Sequence, residues 1–455
     1  MDLIIVYFFQ MNILIAGDSE MSLHLCKLFS VENHNITLIC PDRELLRNAE
    51  THTDLLAVEG DSTSVDILKN ANVRKADLLL SMHFDGRLNL LTAILGKQMG
   101  AKKCIAKVNE PEYTTDKSKT HFRDLGIDYL VSPEKITAKD ITNLIKHTAA
   151  TEIFDFSDNQ LSIMLIRLDS NALVLNRTLN EIAYDYKKLD YRAVAIHRRS
   201  ETFIPRGNDV FREGDMAYVV TKPAGIDHLL KLGGKKHFSI SNIMIVGGGT
   251  VGSQAASNLE KKYNVKLFET NKYRTHKLTE VMRNTLIING DARDISLLED
   301  EGISSMDAFI AVTDNSETNI LTCLLARKYG VKKTIALVEN LDFIDISQNI
   351  GIDTIINKKL ATASYIVRFT MTAEVISTKC LTGIDAEVFE FMAKESSPIT
   401  RKPIRKISFP KNAIIGGVIR DKVGHIATGD FHIRPGDKVV VFALPSAFHA
   451  VDKMF

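Results

Sequence analysis

The sequence predicts an α/β protein with two tandem Rossmann-type parallel-sheet domains, each followed by a small α+β C-terminal lobe. Three observations predict it. Short apolar runs alternate with helical stretches along most of the chain. A glycine-rich turn joins one of those runs to a helix between Asn242 and Glu269. The pattern that surrounds this turn also occurs 230 positions earlier.

The glycine-rich stretch reads as one unit. Ile243-Met244-Ile245-Val246 is long enough for one buried strand, and Ser253 to Lys262 has helical composition. Val265-Lys266-Leu267-Phe268 is the next strand, and Glu269 ends it. Between the first strand and the helix lie Gly247, Gly248, Gly249, Thr250, Val251 and Gly252, with Gly247, Gly249 and Gly252 in G-x-G-x-x-G spacing. In that arrangement the first glycine makes the tight turn, the second admits a pyrophosphate to the backbone, and the third lets helix and strand pack closely. The helix start then offers free N–H groups and a positive dipole end to the phosphates. Glu269 follows Gly247 by 22 positions, where a carboxylate accepts bonds from ribose hydroxyls and repels a 2′-phosphate, favouring NAD over NADP. The alternative is a glycine-rich turn without a ligand.

The repeat extends in both directions. Ile15-Ala16-Gly17 matches Ile245-Val246-Gly247, Gly60-Asp61 matches Gly290-Asp291, and Asn89 matches Asn319, each at an offset of 230. A duplication aligned without a gap is expected. Asp77 to Leu80 and Ala308 to Val312 are expected as buried strands, with helices Leu88 to Met99 and Asn319 to Tyr329 after them. The first copy departs where chemistry would occur. It reads Gly17, Asp18, Ser19, Glu20, Met21, Ser22, so Ser19 and Ser22 replace the second and third glycines. Asp18 and Glu20 bring negative charge to the phosphate position, and Cys40 replaces the ribose acid. A structural Rossmann shell is the reading preferred there over a working dinucleotide site.

Each half carries a second module. Leu161 to Leu168, Ala193 to His197 and Ala217 to Val220 read as strands, as do Ile414-Ile415, Val418-Ile419 and Lys438 to Phe442. Arg212-Glu213-Gly214-Asp215 and Arg434-Pro435-Gly436-Asp437 are matching turns into a strand, at an offset of 222. Linking helices are expected over Lys135 to Ala150 and Lys358 to Val375, with apolar faces for a neighbour. The expected boundaries are 11–134, 151–236, 240–357 and 372–455.

Composition narrows the function. The chain has 455 residues, 45% apolar and 25% charged, with a net charge of +1, so no attraction to nucleic acid is implied. Five scattered cysteines without a C-x-x-C pair suit a reducing compartment. No metal-ligand spacing is present, His83 included. No apolar run approaches the roughly 18 residues of a spanning helix. Met1 to Gln10 is apolar without signal-peptide features, and an upstream-start extension or a loosely attached segment is expected.

The order of Rossmann domain, lobe, Rossmann domain, lobe resembles the tandem RCK/KTN family of Trk potassium-uptake regulatory subunits. The residues that carry the resemblance are Ile245 to Gly249 with Val251-Gly252, Val265 to Glu269, Asn289-Gly290-Asp291-Ala292, Ala311-Val312-Thr313-Asp314-Asn315 with Glu317-Thr318-Asn319, and the two Gly-Asp turns. The resemblance covers residues 11–455. It implies a non-catalytic cytoplasmic protein, peripheral to the inner face of the cell membrane. It implies docking on an integral membrane Trk-type potassium channel subunit, assembly as a homo-oligomer (dimer or tetrameric ring), and binding of NAD(H) or of ATP and ADP. Carried over by position, Gly247 to Val251 hold the pyrophosphate and Glu269 the ribose. Asp291 and Ala292 border the adenine, Thr313 and Asp314 stand at the next strand end, and Val338 closes the pocket. The matching positions of the first copy are Gly17 to Met21, Cys40, Asp61, Ser62, Met82, His83 and Val108. Simpler roles stand beside these: Asp291 as a turn residue, Thr313 and Asp314 as a helix cap, Asn319 as an interior helix polar group. The competing function is an NAD-dependent oxidoreductase. That needs an acid or base placed at the nicotinamide, and no such constellation is legible.

Overall fold

The computed structural model describes residues 10–146, 152–157, 159–185, 190–199, 201–234, 238–371, 373–381, 384 and 386–455. The apolar segment 1–9, the last residues of the first linking helix and three of the expected domain boundaries (151, 236 and 372) lie outside them. Packing divides the chain into two compact units. One comprises the residues up to Pro133 with Tyr365–Thr370, and the other Glu134–Ser364 with Met371–Phe455.

The first unit holds a six-stranded parallel sheet of β1 (Asn12–Ala16), β2 (Asn35–Cys40), β3 (Leu56–Glu59), β4 (Leu78–Ser81), β5 (Lys103–Lys107) and β6 (Tyr129–Val131). Its strand order, 3-2-1-4-5-6, is that of a doubly wound dinucleotide fold. β4 reads Leu-Leu-Leu-Ser and all four residues are buried. Such continuous apolar runs belong to strands covered on both faces. Helices start where side chains can bond the free N–H groups: Asp42 accepts from the amides of Glu44 (2.9 Å) and Leu45 (3.1 Å), and Asp85 from that of Arg87 (2.9 Å). Tyr365–Thr370 joins this unit through Phe369, whose ring lies 4.3 Å from that of Tyr129.

The second unit begins with a five-stranded antiparallel sheet of β7 (Glu152–Phe156), β8 (Leu161–Arg167), β9 (Tyr191–Arg198), β10 (Glu201–Phe203) and β11 (Met216–Thr221), in the order 10-9-11-8-7. A second six-stranded parallel sheet follows: β12 (Asn242–Val246), β13 (Asn264–Glu269), β14 (Thr285–Asn289), β15 (Ala308–Ala311), β16 (Lys333–Leu337) and β17 (Thr354–Ile356). Its order, 14-13-12-15-16-17, repeats that of the first. The last sheet contains β18 (Val375–Cys380), β19 (Glu387–Met392), β20 (Ala413–Arg420), β21 (Val423–Ile426) and β22 (Lys438–Ala443). Its order, 18-19-22-20-21, is that of the other lobe position for position. The faces of the two lobe sheets share one core, in which Leu161, Val194, Tyr218 and Val220 meet Val388, Ile419, Val440 and Phe442.

Three expectations need correction. The two Rossmann copies do not align without a gap. Asn12 pairs with Asn35 and Asn242 with Asn264, so the second strands match at 229, one less than the first strands. Pairing of Cys40 with Glu59 and of Glu269 with Asn289 restores 230 at the third strands. The two compensating single-residue changes fall in the helix-to-strand segments either side of the second strand, where surface turns absorb them. The helix that begins at Lys358 ends at Val367 rather than Val375. The amides of Phe369 and Thr370 fold back on Ile366 and Val367, Thr370 Oγ1 donates to the Val367 carbonyl, and Val375 opens β18. Ile414-Ile415 and Val418-Ile419 are one strand, interrupted by a bulge between Ile415 and Gly417.

Candidate functional site

β12 and β15 are adjacent, and their crossovers run to opposite sides of the sheet. A crevice opens at such a switch point, outside the carboxyl ends of the strands. The glycine loop lies there, at the end of β12. Gly247 has φ +105°, which favours glycine, and a Cβ on it would stand 2.7 Å from the Val312 carbonyl oxygen. A Cβ on Gly252 would stand 1.9 Å from the Gly247 oxygen, so only glycine lets the helix Thr250–Leu259 start this close to the strand. Gly249 behaves differently. It is the helix N-cap, with φ −66° and ψ −173°, and a Cβ there would meet no atom within 4 Å. The middle glycine of the motif therefore faces open space, while the outer two face backbone.

Glu269 closes the other side of the loop. It is 4% exposed and its two oxygens accept four donors. Oε2 accepts from the Gly248 amide (3.0 Å) and from Arg274 (3.1 Å). Oε1 accepts from the Asn271 amide (2.7 Å) and the Thr270 hydroxyl (3.4 Å). A carboxylate offers about four acceptor positions, so this one is saturated. Three of its donors belong to the loop and to the chain just after β13. The fourth, the half-exposed Arg274 side chain, is the one free to swing away. Arg274 was not singled out from the sequence. Its only signal there is a position five residues after the acid, in the first turn of the helix Lys272–Val281.

A cleft of about 130 Å³ lies between these groups. Of the residues expected there, Gly247, Gly249, Glu269, Asp291, Ala292, Thr313 and Asp314 border it, and so do Arg274 and Thr318. Gly248, Thr250, Val251 and Gly252 form the loop and first helical turn behind it, and Val251 is buried. Val338 is fully buried and is not among the cleft-lining residues.

Several simpler roles are also visible. Asp291 accepts from the Arg293 amide at 2.9 Å and pairs with the Arg293 guanidinium at 2.6 Å. Those Arg293 bonds hold its carboxyl below the usual range. The cap of the helix Ser316–Lys328 is Asn315, which accepts from the Thr318 amide at 2.6 Å. Thr313 instead bonds Asn319, through its amide (2.9 Å) and its hydroxyl (2.7 Å). Buried Asn319 donates in turn to the carbonyls of Thr313 (2.9 Å) and Leu337 (2.8 Å), tying together two strand ends at the cleft. Asn89 does the same in the first copy, bonding His83 and Lys107.

The first copy keeps this frame but turns its polar groups inward. Ser19 and Ser22, which stand where the second has Gly249 and Gly252, both direct their hydroxyls at the Met82 carbonyl (3.1 and 3.4 Å). A Cβ on Gly17 would stand 2.0 Å from Ser22 Oγ, so the serine fills the space above the turn. Asp18 accepts from the Phe84 amide at 2.9 Å and lies 3.5 Å from His83 Nδ1. His83 Nε2 bonds Ser62 Oγ at 2.7 Å, and Ser62 bonds Thr92 at 2.8 Å. Burial is the largest influence on His83 and pushes its pKa down, against the opposing pull of Asp18. Met21, Cys40, Met82 and Val108 are buried, whereas Glu20 and Asp61 are exposed, Asp61 closing a turn onto the Thr63 amide (2.8 Å). Among the described residues no group of three or more His, Cys, Asp or Glu side chains is placed to hold a metal ion, and no helix is long and apolar enough to cross a membrane.

With this geometry in hand, the chain can be compared with known proteins. The model of the TrkA-N domain matches residues 13–133 and 243–358, and that of the TrkA-C domain matches 163–233 and 388–455. The chain belongs to the TrkA family. A Methanosarcina mazei relative named Trk system potassium uptake protein TrkA homolog 1 is 31% identical over 455 residues, covering 98% of this chain and 100% of its own. The Trk system potassium uptake protein TrkA of Vibrio alginolyticus is 28% identical over 438 residues, 95% of each chain. Among solved structures, the GsuK RCK domain has a TM-score of 0.60 at 17% identity, covering 98% of this chain and 95% of that one. The GsuK channel bound to NAD has a TM-score of 0.61 at 17% identity, covering 98% and 79%. At that identity the likeness is one of fold alone.

Proposed function

We propose that this TrkA-family chain is a regulatory subunit that binds NAD(H), or an adenine nucleotide in its place, and gates a Trk-type potassium channel in the membrane. The observation that carries the reading is the pairing of Gly249, open to empty space, with the buried acid Glu269 across the cleft. Glu269 also serves the unliganded loop as acceptor for the Gly248 and Asn271 amides, but a ligandless turn has no use for the open space at Gly249. The pyrophosphate runs past Gly249 and takes bonds from the start of the helix Thr250–Leu259. The ribose hydroxyls bond Glu269, which is saturated until Arg274 leaves it. Arg274 then becomes a free cation beside the ligand. Asp291 and Ala292 border the base, and Thr313 and Asp314 the far end. The solved GsuK channel bound to NAD, and the GsuK structure bound to ADP, support the ligand class through a shared fold.

On this reading the four segments 11–134, 151–236, 240–357 and 372–455 act as sensor and lobe twice over, with the second sensor carrying the ligand. The first, its loop serines bonded to its own backbone, serves as a frame. A ligand shifts a conformational equilibrium only by its difference in affinity for the two states. A full swing needs about 5.5 kcal/mol, which a homo-oligomeric ring can sum from smaller contributions. The chain works at the cytoplasmic face, docked on the channel, without breaking a bond in the nucleotide.

A thermal-shift panel of NADH, NAD, NADPH, ATP and ADP on the purified chain tests the ligand. Stabilisation by at least one is expected, about 2.7 kcal/mol at 100 times its dissociation constant. Potassium uptake by cells that carry the membrane subunit with and without this chain tests the gating. No stabilisation by any of the five, or steady oxidation of NADH, would overturn the reading.

A further inference from the structure

A net charge of +1 conceals one strongly cationic strip in the second lobe. Residues 401–412 hold five cations and no acid, so the rest of the chain carries −4, the difference between +1 and +5. Arg401, Lys402, Arg405, Lys406 and Lys411 are all exposed. Arg405 pairs with the exposed Asp430 at 2.7 Å. Among the described residues the other four form no ion pair.

The first lobe builds the same segment with a different charge. Thr178 bridges Val210, and the Thr400 carbonyl bonds His432, two pairs that match at an offset of 222. Tyr191 lies opposite Thr221 and Ala413 opposite Ala443, again at 222. Residues 179–190 and 401–412 are therefore counterparts of equal length. The first has three acids and two lysines. Its described part closes on itself: Leu179–Asp185 is a helix, Glu181 accepts from the Thr178 amide at 2.7 Å, and Arg177 bonds Asp185. The second, interrupted by Pro403 and Pro410, forms only the 3-10 turn Ile404–Lys406 and leaves its cations outward.

The backbone of the strip is fixed. The Ile404 amide donates to the Phe431 carbonyl at 3.0 Å, the Arg405 amide to the Gly429 carbonyl at 2.8 Å, and the Ala413 amide to the Pro410 carbonyl at 3.1 Å. Ile404, Ile407 and Phe409 are partly buried between the cations. Like charges held side by side repel one another and destabilise the folded strip, and an anionic surface relieves that repulsion. The negative remainder of the chain argues against a general affinity for nucleic acid. An anionic membrane leaflet attracts clusters of about 4–8 Lys and Arg, at about fivefold in affinity for each one near the surface.

We propose that residues 401–411 of the second lobe lie on the anionic headgroups of the membrane, beside the channel that the chain regulates. The proposal rests on the reading of the chain as a subunit docked at the membrane, and adds a second hold there, on lipid.

Flotation of the purified full-length chain with channel-free vesicles tests it. Vesicles of phosphatidylcholine mixed with phosphatidylglycerol should carry the chain at low salt and release it at high salt, and vesicles of phosphatidylcholine alone should not carry it. Lys402→Gln, Lys406→Gln and Lys411→Gln combined should lower partitioning about 100-fold, at about fivefold each, with an unchanged melting temperature. Lys75→Gln, Lys117→Gln and Lys262→Gln combined make the same change in charge at exposed positions elsewhere, and should leave partitioning within about twofold of wild type. Failure of the wild-type chain to float with the anionic vesicles would overturn the proposal. So would an equal loss in the two triple variants, or binding to a DNA duplex as tight as to the vesicles, which would make the strip a general polyanion site. Because the vesicles hold no channel, the two readings fail separately. Potassium uptake that responds to the chain when flotation fails removes the lipid contact alone, and flotation without an effect on uptake removes the gating alone.

Discussion

Gly249→Val separates a ligand-binding loop from a structural turn, because it changes one without changing the other. The backbone at Gly249 is extended (φ −66°, ψ −173°), a conformation open to valine. The new Cβ would meet no protein atom within 4 Å. Surface substitutions without a named structural penalty stay within about 0.5 kcal/mol, and replacing a glycine N-cap by valine adds on the order of 1 kcal/mol. The unliganded melting temperature should therefore move by no more than a few degrees. A dinucleotide phosphate must pass through the space that valine fills, so affinity should fall at least about 100-fold, or roughly 2.7 kcal/mol. The NADH-induced thermal shift should then vanish at concentrations that saturate the wild type. Gly252→Ala is the contrasting variant. Its Cβ would lie 1.9 Å from the Gly247 oxygen, a backbone clash, so it should destabilise the unliganded chain by about 1–3 kcal/mol. Calorimetry with NADH and unliganded melting curves of both variants check the pair. NADH affinity within twofold of wild type in Gly249→Val would refute the argument. So would equal loss of unliganded stability in the two variants.

Glu269→Ala should weaken NADH binding by about 1.5–3 kcal/mol, as for hydrogen bonds to a charged group, and should also lower unliganded stability because the Gly248 and Asn271 amides lose their acceptor; calorimetry and melting curves report the two effects separately. NADPH should bind at least about tenfold more weakly than NADH, and parity in a competition titration would place the 2′-phosphate on Arg274 and away from Glu269. His83 is held neutral by burial, with a folded pKa below its usual 6.5. The unfolded chain then binds the extra proton as pH falls below 6.5, so stability should be lost there by up to about 1.4 kcal/mol per pH unit. His83→Gln should flatten that slope in urea melts between pH 7 and 5. The five cysteines are all buried and free, and burial pushes the Cys26 and Cys104 thiols up to about 12, so Ellman's reagent at pH 8 should count none in the native chain and five in guanidinium. Asp215→Ala should destabilise by about 3–5 kcal/mol in a denaturant titration, because it strips a buried bidentate partner from Arg198.

What the sequence made legible is what depends on neighbours along the chain. The glycine spacing, the apolar run before it and the acid at the end of the next strand are all set within 30 residues, and the structure assembles them as one loop. The two Gly-Asp turns were legible for the same reason. Their partners were not: Arg198 and Arg420 reach Asp215 and Asp437 across the sheet, and sheet register is a tertiary outcome. Arg274 was missed because its role comes from the direction of a helix start, which decides that its side chain folds back over Glu269. Constant offsets at Gly17, Gly60 and Asn89 concealed two opposite single-residue changes between them, since matching endpoints say nothing about the path. The helix expected to Val375 stops at Val367 because Phe369 is drawn into the packing of Tyr129, far away in sequence.

The two Rossmann copies differ in a way that bears on why the opening at the glycine loop exists. An unfilled volume forfeits dispersion contacts, so a chain able to fill one has a stability reason to do so. Ser19 and Ser22 occupy the turn in the first copy, where the second leaves Gly249 facing space. Inability of the fold to pack does not explain that opening, because the first copy packs it. A turn kept open at a cost in contacts is expected where a ligand takes the space, and unchanged NADH affinity in Gly249→Val would break this argument from the copies.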